Sequence, residues 1–421
     1  MLNTSNSKPF RRLDYVKITL FGFALTALWQ SLHTITLPVR LLDFVPESQK
    51  NTYLGLLTLS GLFLAMLVQP LAGAVSDRSR FNWGRRRPYV LAGGIIALLL
   101  IPGLGLAGSY AAIFAVYCLL QIATNIAQGP YQAFIPELVP ADKHGRASGV
   151  KGLLEITGGL TLVYLSSIFM DRYADGGGSY LLWLVLGILM IVIFIAMVAT
   201  VFLVREPRVS TDQCRAPLLE TIYCTFRKDI WKNHSFVWFL LSRLLVYMAF
   251  TTIQQFALYY FKDVLGIADP AEATFRFTVV AVAGMLVVVW PAGYLSDRIG
   301  RKSLTAASGL LGALGIAVIA LSQEYNTILW AAGLIGIAMG IFNSTNWALA
   351  TDFAPATEEA RYLGVANMAT AGGAVLARAI GPAIDFFNSR NALSGYTFML
   401  LVCLAYFLIG SVLVFKIKRR P

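Results

Sequence analysis

The sequence has little charge and few cysteines and histidines. Only 13% of its 421 residues are charged, where a soluble chain has about a quarter. It contains four cysteines, none at metal-ligand spacing, three histidines and no G-x-x-x-x-G-K-S/T loop. We therefore expect no disulfide, no metal, no cofactor and no ATP-driven activity of this chain alone. The composition also excludes a disordered chain and a cytosolic enzyme.

Apolar residues make up 57% of the chain, more than one core surrounded by water would bury. A helix needs about 20 apolar residues to cross the hydrocarbon of a bilayer. Uncharged segments of that length occupy 18–39, 51–76, 179–204, 325–351 and 391–415, while 88–136 holds two, separated at Pro102 to Tyr110. Two more are 277–296 and 303–323, and three with internal charges follow Ser148, Ser235 and Tyr362. The sequence predicts an all-α membrane protein with twelve transmembrane helices.

The basic residues predict the orientation of these helices. Of the 34 Lys and Arg residues, 25 fall on one alternating set of connections and termini, which predicts that both termini are cytoplasmic. The net charge of +12 therefore reflects topology, and we expect no nucleic-acid partner. The amino-terminal segment has no small-residue cleavage site, so we expect the first span to be retained. The predicted location is the inner membrane of a bacterium, with several passes through the bilayer.

The chain also repeats itself. GAVSDR at 73–78 corresponds to GYLSDR at 293–298, and AFIPELVPADKHGRASGV at 133–150 aligns without gaps on 348–365. The repeat predicts two parallel six-helix bundles, 1–204 and 234–421, joined by a cytoplasmic linker at 205–233 that contains an amphipathic helix.

Two loops carry a family resemblance. The motif G-x-x-x-D-R-x-G-R-K at 293–302 resembles the loop between the second and third spans of the major facilitator superfamily, and 73–86 is its counterpart in the first half. SDRSRFNWGRRRP at 76–88 is similar to the proton-coupled sucrose transporters and the wider glycoside-pentoside-hexuronide cation symporters. The resemblance implies alternating access, a sugar or glycoside substrate and a cation. Because residues 51–76 contain no acid, it favours protons over sodium.

Charged residues at the predicted cytoplasmic ends form a candidate latch, because carboxylates there can pair with arginines and with helix amino termini. The alternative is that they only anchor helix ends at the lipid headgroups. The latch candidates are Gly73, Asp77, Arg78, Glu137, Arg146, Gly293, Asp297, Arg298, Asp352 and Arg361.

Charged residues inside spans cost roughly 2.5 to 3.5 kcal/mol each to insert and usually mark a transport pathway. Glu155 is the leading proton-coupling candidate, and the alternative is a static pair with Lys151. His33 is the second candidate, since the sucrose transporters are similar in having a histidine late in the first span. Arg243 has no acid within four residues and is a candidate for substrate or coupling, whereas Arg378 has Asp385 as a possible partner.

Neutral polar side chains in the spans suggest the substrate. Amides match hydroxyl groups and aromatic rings stack on sugar faces. The alternative is hydrogen bonding between helices, at about 0.6 kcal/mol each. The candidate substrate-binding residues are Gln30, Asn125, Gln128, Arg243, Gln254, Asn343, Asn346, Trp347 and Arg378.

Taken together, the sequence predicts a secondary transporter, not an enzyme, most consistent with proton-coupled symport of a sugar or glycoside by a monomer in the lipid bilayer. Two alternatives stay open. One is a proton-driven exporter of amphipathic compounds, and the other is a membrane assembly factor that has the transporter fold without transport.

The predicted orientation has a direct test, because Cys214 and Cys224 lie on the predicted cytoplasmic linker. A membrane-impermeant maleimide should label them in inside-out vesicles and not in intact cells. The double variant Cys214→Ser/Cys224→Ser, which keeps Cys118 and Cys403 within spans, is the control and should stay unlabelled. Labelling of the unmodified chain in intact cells would contradict the orientation.

Overall fold

The computed structural model describes residues 12–79, 81, 83–140, 143–206, 233–353 and 359–417. Every regular element in these ranges is helical. Twelve helical segments are long and apolar enough to cross a membrane, which confirms the prediction of an all-α protein with twelve spans. The amphipathic helix expected in the linker lies outside the described residues.

Six spans lie in each half of the chain. In the first half they are span 1, Leu13–Leu41; span 2, Glu47–Asp77; span 3, Arg87–Leu106; span 4, Tyr110–Leu138; span 5, His144–Ala174; and span 6, Tyr180–Leu203. In the second half they are span 7, His234–Asp263; span 8, Pro270–Ser296; span 9, Arg301–Leu321; span 10, Tyr325–Phe353; span 11, Tyr362–Arg390; and span 12, Ser394–Phe415. The individual helices are Arg12–Ser31, Leu37–Leu41, Lys50–Asp77, Arg87–Leu106, Tyr110–Gln132, Phe134–Leu138, His144–Ala174, Tyr180–Leu203, His234–Asp263, Pro270–Ile299, Arg301–Leu321, Tyr325–Phe353, Glu359–Leu376, Gly381–Arg390 and Ser394–Phe415.

Three spans contain a change of helix type. Span 1 passes through a π-helical turn at Leu32–Thr36, span 2 begins with a 3-10 turn at Glu47–Gln49, and span 11 passes through a 3-10 turn at Ala377–Ile380. π-Helical turns occur preferentially at functional sites. This one contains His33, a residue that the sequence singles out.

Some spans are longer than the apolar runs that predict them. Span 8 begins at Pro270, where the sequence suggested 277. The added residues are stabilised without apolar character: Pro270 occupies the first turn, and Arg276 forms an ion pair of 2.5 Å with Glu272 one turn away. Uncharged runs therefore locate a span but underestimate its length wherever the helix extends past the hydrocarbon.

Contacts group the chain into two compact units. The first comprises the described residues of Met1–Thr36 and Ser60–Gln213, and the second those of Leu37–Leu59 and Cys214–Pro421. Within the first unit, span 1 packs on spans 5 and 6, and span 3 packs on spans 4 and 6. Within the second, span 10 packs on spans 8 and 9, and span 12 packs on spans 7 and 9. The division at 204 and 234 that the repeat suggests stays a prediction.

Small residues allow the helices to approach closely. A Cβ atom on Gly93 of span 3 would lie 2.5 Å from the carbonyl oxygen of Ala123 and 2.8 Å from the nitrogen of Ala127, both on span 4. Such close backbone approach is typical of helix packing in membranes, where hydrophobic surface alone gives no preference between helix and lipid. Other apolar side chains face outward; Leu99 is 74% exposed and Leu321 is 89% exposed.

The contact at Gly93 predicts a position-specific effect on stability. Gly93→Leu should lower the melting temperature of the purified protein in detergent by several degrees, because the side chain would have to displace span 4. Gly187→Leu on span 6 is the matched control, since a Cβ there meets no atom within 4 Å. Equal melting temperatures for the two variants would contradict the close packing of spans 3 and 4.

Candidate functional site

The second unit contains a cluster of polar and aromatic side chains, here named the Arg243 cluster. Its members come from three helices and are Arg243, Tyr247, Asn343, Asn346, Trp347 and Thr370. The side chains of Arg243 and Tyr247 lie one turn apart on span 7, and those of Asn343, Asn346 and Trp347 lie within four positions on span 10. Four of the six were predicted as substrate-binding residues. Tyr247 and Thr370 were not.

The guanidinium of Arg243 lies at the centre of this cluster, and the residue is only 4% exposed. Its Nε donates to Thr370 Oγ1 at 2.7 Å, and one terminal nitrogen donates to Asn346 Oδ1 at 2.5 Å. The guanidinium carbon lies 5.5 Å from the ring centroid of Tyr247 and 5.7 Å from that of Trp347, within the range of cation–π attraction. Neutral oxygens and ring faces thus surround a permanent positive charge.

Tyr247 and Asn343 extend the Arg243 cluster. The Tyr247 hydroxyl donates to Asn343 Oδ1 at 2.5 Å, and Asn343 Nδ2 points to the sulfur of Met285 at 3.9 Å. Gly373 on span 11 permits this arrangement, because a Cβ there would lie 3.2 Å from Cβ of Tyr247. The Tyr247 side chain is therefore held by the close approach of span 11 at its Cβ and by the hydrogen bond of its hydroxyl to Asn343.

The first unit contains a second polar and aromatic group, here named the His33 cluster: Trp29, His33, Tyr117, Gln121 and Asn125. His33 Nε2 is 2.9 Å from the Tyr117 hydroxyl, which also accepts a bond of 2.9 Å from Gln121 Nε2. Asn125 Nδ2 donates to the carbonyl of Gln121 at 2.8 Å, and the indole of Trp29 stacks on the imidazole with centroids 5.1 Å apart. His33 and Asn125 were predicted, whereas Tyr117 and Gln121 were missing from the predicted site.

Local sequence positions the His33 cluster. Tyr117 is fully buried and needs Gly61 of span 2 beside it, since a Cβ there would lie 2.7 Å from the phenol carbon. Residues 117, 121 and 125 recur every fourth position on span 4, so one helix face carries all three polar groups. The π-helical turn of span 1 carries the imidazole that meets this face.

Glu155 lies outside both clusters and is partly exposed. Its carboxylate is 3.7 Å from Lys151 Nζ one turn earlier, a longer separation than a hydrogen-bonded ion pair has. Gly22 of span 1 makes room for it, because a Cβ at Gly22 would lie 2.5 Å from the Tyr131 hydroxyl and 2.7 Å from Glu155 Oε1. The predicted Lys151 pairing is therefore present but loose.

The other predicted substrate residues lie apart from the two clusters. Gln30 packs over Gly159, Gln128 is half-buried three positions beyond Asn125, and Gln254 is half-buried eleven positions beyond Arg243. Arg378 is buried in the 3-10 turn of span 11 and donates to the carbonyl of Ala374. Its suggested partner Asp385 instead accepts bonds of 2.8 and 2.6 Å from Asn51 and Thr52.

The latch candidates of the first half meet at a residue that was not among them, Arg86. Its side chain is 5% exposed and pairs with Asp77 and with Glu137, the latter at 2.5 Å. It also donates to the Gly73 carbonyl at 3.1 Å and to Ser76 Oγ at 2.5 Å. Arg78 and Arg146, by contrast, are exposed. Arg86, the second arginine of the Gly84–Arg87 segment, therefore carries the buried positive charge, and Arg78 does not.

Glu206 is a further contributor that sequence reasoning missed. Its carboxylate accepts from the backbone nitrogens of Arg85, Arg86 and Arg87 at 2.8, 2.9 and 2.8 Å. These are the unpaired donors at the start of span 3, where a negative charge is also favoured by the helix dipole. The end of span 6 thereby fixes the position of Arg86.

The second half contains an equivalent ion pair, which is more exposed than that of Arg86. Arg301 pairs with Asp352 at 2.5 Å and donates to the Ala348 carbonyl at 2.8 Å, at positions 215 beyond Arg86 and Glu137. Gly293 lies against Ser344, and Arg298 covers the ring of Tyr294 at 4.5 Å. The side chains of Asp297 and Arg361 lie outside the described part. The pairs seen here lie within one unit each.

A second charged network occupies the second unit where span 2 begins. Lys50, 3% exposed, donates to Asp263 at 2.5 Å, and the same carboxylate accepts from the Tyr396 hydroxyl at 2.5 Å. The Tyr259 hydroxyl donates to the Pro38 carbonyl at 2.8 Å. Within the described residues, no three His, Cys, Asp or Glu side chains are grouped to hold a metal ion.

A family model and several known proteins match the chain. The model described as Major Facilitator Superfamily matches residues 13–378 and 269–421. The minor myo-inositol transporter IolF of Bacillus subtilis is 34% identical over 20% of this chain and 19% of its own length. The lactose permease of Lactobacillus delbrueckii subsp. bulgaricus is 24% identical over 61% of this chain and 43% of its own length. The sucrose transport protein SUT1 of Oryza sativa subsp. japonica is 32% identical over 21% of this chain and 20% of its own length. The matches thus span less than half the length of each of these relatives.

Solved structures resemble the whole chain. A bacterial homologue of the human lysosomal transporter Spinster has a TM-score of 0.75 at 15% identity, covering 99% of this chain and 100% of its own. A D-xylose-proton symporter has a TM-score of 0.73 at 16% identity, covering 98% of each chain. At this level of identity the likeness establishes the fold.

The two equivalent ion pairs predict unequal effects on stability. Glu137→Gln should lower the free energy of unfolding by up to about 3 kcal/mol, because it removes one of two carboxylates from the buried Arg86. Asp352→Asn, the equivalent change at a pair whose aspartate side chain is 52% exposed, should cost less than about 1 kcal/mol. Thermal unfolding of both purified variants measures the difference, and a larger loss for Asp352→Asn would contradict it.

Proposed function

The chain belongs to the Major Facilitator Superfamily, and from that premise we propose that it is a secondary active transporter working by alternating access. It is an integral membrane protein of twelve spans, and its family and relatives are transporters, not enzymes. The proposed reaction is symport of a sugar or glycoside with protons. We also propose that it acts as a monomer in the inner membrane of a bacterium.

The Arg243 and His33 clusters are the observation on which the sugar proposal rests. Each combines side-chain amides with aromatic rings, and Trp347 is 42% exposed. Amide groups both donate to and accept from hydroxyls, while the face of an indole or phenol packs on the C–H face of a pyranose. The residues proposed to contact substrate are the members of the two clusters, with Gln30, Gln128, Gln254 and Arg378 farther along the same helices.

The relatives support the same substrate class. Their names describe transporters of myo-inositol, lactose and sucrose, all of which are polyhydroxylated and neutral. A D-xylose-proton symporter shares the fold. Because the matched regions cover only part of each curated relative, the substrate class for this chain is a proposal that depends on the two clusters.

Glu155 is the proposed proton carrier. Its carboxylate and the Tyr131 hydroxyl both lie against Gly22, and the nearest approach of Lys151 Nζ to the carboxylate is 3.7 Å. A carboxylate that loosely holds its cation can exchange that partner for a proton, whereas one in a tight ion pair cannot. His33 is the proposed second titrating group, held by Tyr117 at 2.9 Å.

The buried ion pairs around Arg86 and the pair of Arg301 are the proposed latch. Asp77 and Glu137 on one side and Asp352 on the other supply the carboxylates. Their release would free the helix ends at the predicted cytoplasmic face. Gly73, Arg78, Arg146, Gly293, Asp297, Arg298 and Arg361 complete the proposed set.

Transport by proteoliposomes tests the proposal. The purified protein should accumulate at least one member of a panel of neutral and acidic sugars when the outside is acidic, and should stop when a protonophore removes the gradient. No gradient-dependent flux for any sugar would contradict proton-coupled sugar symport.

Glu155→Gln should separate coupling from binding. The variant cannot release a proton, so uphill accumulation should fall at least about tenfold while exchange of labelled for unlabelled sugar continues. Glu272→Gln, which removes an exposed carboxylate paired with Arg276, is the control and should behave as the unmodified protein does. Full uphill accumulation by Glu155→Gln would exclude Glu155 as the proton carrier.

A further inference from the structure

The Tyr131 hydroxyl lies beside the Glu155 carboxylate, and its own proton is used elsewhere. A Cβ atom on Gly22 would lie 2.5 Å from Tyr131 Oη and 2.7 Å from Glu155 Oε1, so both oxygens border the same small space against span 1. Tyr131 Oη donates its proton to the carbonyl of Thr19 at 3.1 Å. Because a hydroxyl has one proton and two lone pairs, the Tyr131 oxygen can still accept a hydrogen bond.

Lys151 approaches the same carboxylate from one turn earlier on span 5. Its Nζ is 3.7 Å from Glu155 Oε1 and 5.7 Å from the ring centroid of Tyr131. The ionised carboxylate therefore has a cation within reach. A protonated carboxyl group instead needs an acceptor for its O–H, and Tyr131 Oη is such an acceptor. The two protonation states of Glu155 thus have different partners, on two different helices.

The second unit has the same pair of positions, occupied by different residues. Asn346 and Thr370 lie 215 positions beyond Tyr131 and Glu155, which is the offset of the sequence repeat. There, Arg243 donates to Asn346 Oδ1 at 2.5 Å and to Thr370 Oγ1 at 2.7 Å, so the two acceptors share one donor. In the first unit, the groups that span 1 supplies at this place are uncharged. The donor that Tyr131 and Glu155 can share is a proton.

We propose that Tyr131 is a positioning residue for the proton of Glu155: the protonated carboxyl turns from Lys151 and donates to the Tyr131 oxygen, and loss of the proton returns the carboxylate to Lys151. This inference rests on the proposed role of Glu155 as proton carrier and names the group that holds each of its two states. The O–H bond of Glu155 forms with a proton from water and breaks when that proton is released. Tyr131 keeps its own proton on the Thr19 carbonyl throughout.

Other charged side chains on the helices around Glu155 are paired or distant. On span 1, Asp14 pairs with Lys17 at 3.1 Å, and on span 4, the carboxylate of Glu137 is bound by two arginines. Span 6, which packs on spans 1 and 5, contains no acidic or basic residue, and the other charged residues of span 5 lie towards its two ends. Within the described residues, the titratable groups that face Glu155 are therefore Lys151 and the Tyr131 hydroxyl.

Infrared titration of the purified full chain in lipid tests the proposal without a substrate. A protonated carboxyl has a carbonyl stretch distinct from the bands of a carboxylate, and loss of this band in Glu155→Gln assigns it. Tyr131→Phe removes the acceptor of the protonated state, so the band should be half-formed at a pH about 0.5 to 1 unit lower. Lys151→Met removes the cation that stabilises the ionised state, so the same midpoint should lie about 1 unit higher.

The midpoint separates positioning from a merely structural role. Tyr131→Phe keeps the ring that packs against Phe21 with centroids 5.5 Å apart, and a midpoint does not depend on how much of the sample is folded. Tyr180→Phe, at a 62% exposed tyrosine at the start of span 6, is the matched control and should leave the midpoint unchanged.

The outcomes also separate this inference from the proposed function. An unchanged or higher midpoint in Tyr131→Phe would overturn the role of Tyr131 and leave Glu155 as the proton carrier, which uphill accumulation tests independently. The absence of any band that depends on Glu155 would overturn it as well. Opposite shifts in the two variants, together with full uphill accumulation by Glu155→Gln, would support the two positions of the carboxyl and refute only its coupling role.

Discussion

The cost of placing charge inside the hydrocarbon determines how this chain is organised. With 13% charged residues, the sequence keeps most of its charges at helix ends, and each one that lies deeper needs a set of partners. Burial at a helix end imposes the same requirement. Arg86, at the start of span 3, and Arg243, within span 7, meet it in opposite ways. Arg86 is bound by two carboxylates, a carbonyl and a hydroxyl, so its charge is balanced within the fold. Arg243 is bound by neutral oxygens and rings, so its charge stays unbalanced.

The repeat gives the two halves the same connections. Arg86 with Glu137 and Arg301 with Asp352 occupy equivalent positions, and Ser76 and Ser296 donate to the carbonyls of Gly73 and Gly293 at 2.7 Å in both halves. The ion pair and the serine hydrogen bond that the two halves share, where span 2 meets span 3 and span 8 meets span 9, indicate that this region is a unit of the fold. In the first half, the carboxylates of Asp77 and Glu206 also contribute to this arrangement.

Much of the fold could be predicted from the sequence, because uncharged runs and their separation follow directly from the thickness of a bilayer. The members of the two clusters were predictable where polar residues recur at helical spacing, as in Asn343, Asn346 and Trp347. Tyr117 and Thr370 were not, because their roles depend on the rotation of each helix against its neighbours. Arg86 and Glu206 were missed for a related reason. The Glu206 carboxylate binds the backbone nitrogens at the start of span 3 from about 120 positions away, and no local sequence pattern predicts a contact between residues so far apart.

The two equivalent ion pairs differ in their contact with water. The side chains of Arg86 and Glu137 are 5% and 28% exposed, whereas those of Arg301 and Asp352 are 33% and 52% exposed. Mobile ions screen exposed charges over about 8 Å at physiological ionic strength and reach buried pairs much less. Dissolved salt therefore weakens the attraction between Arg301 and Asp352 and leaves that between Arg86 and Glu137 nearly unchanged. The two copies of this repeated motif thus respond differently to the ionic composition of the surrounding water.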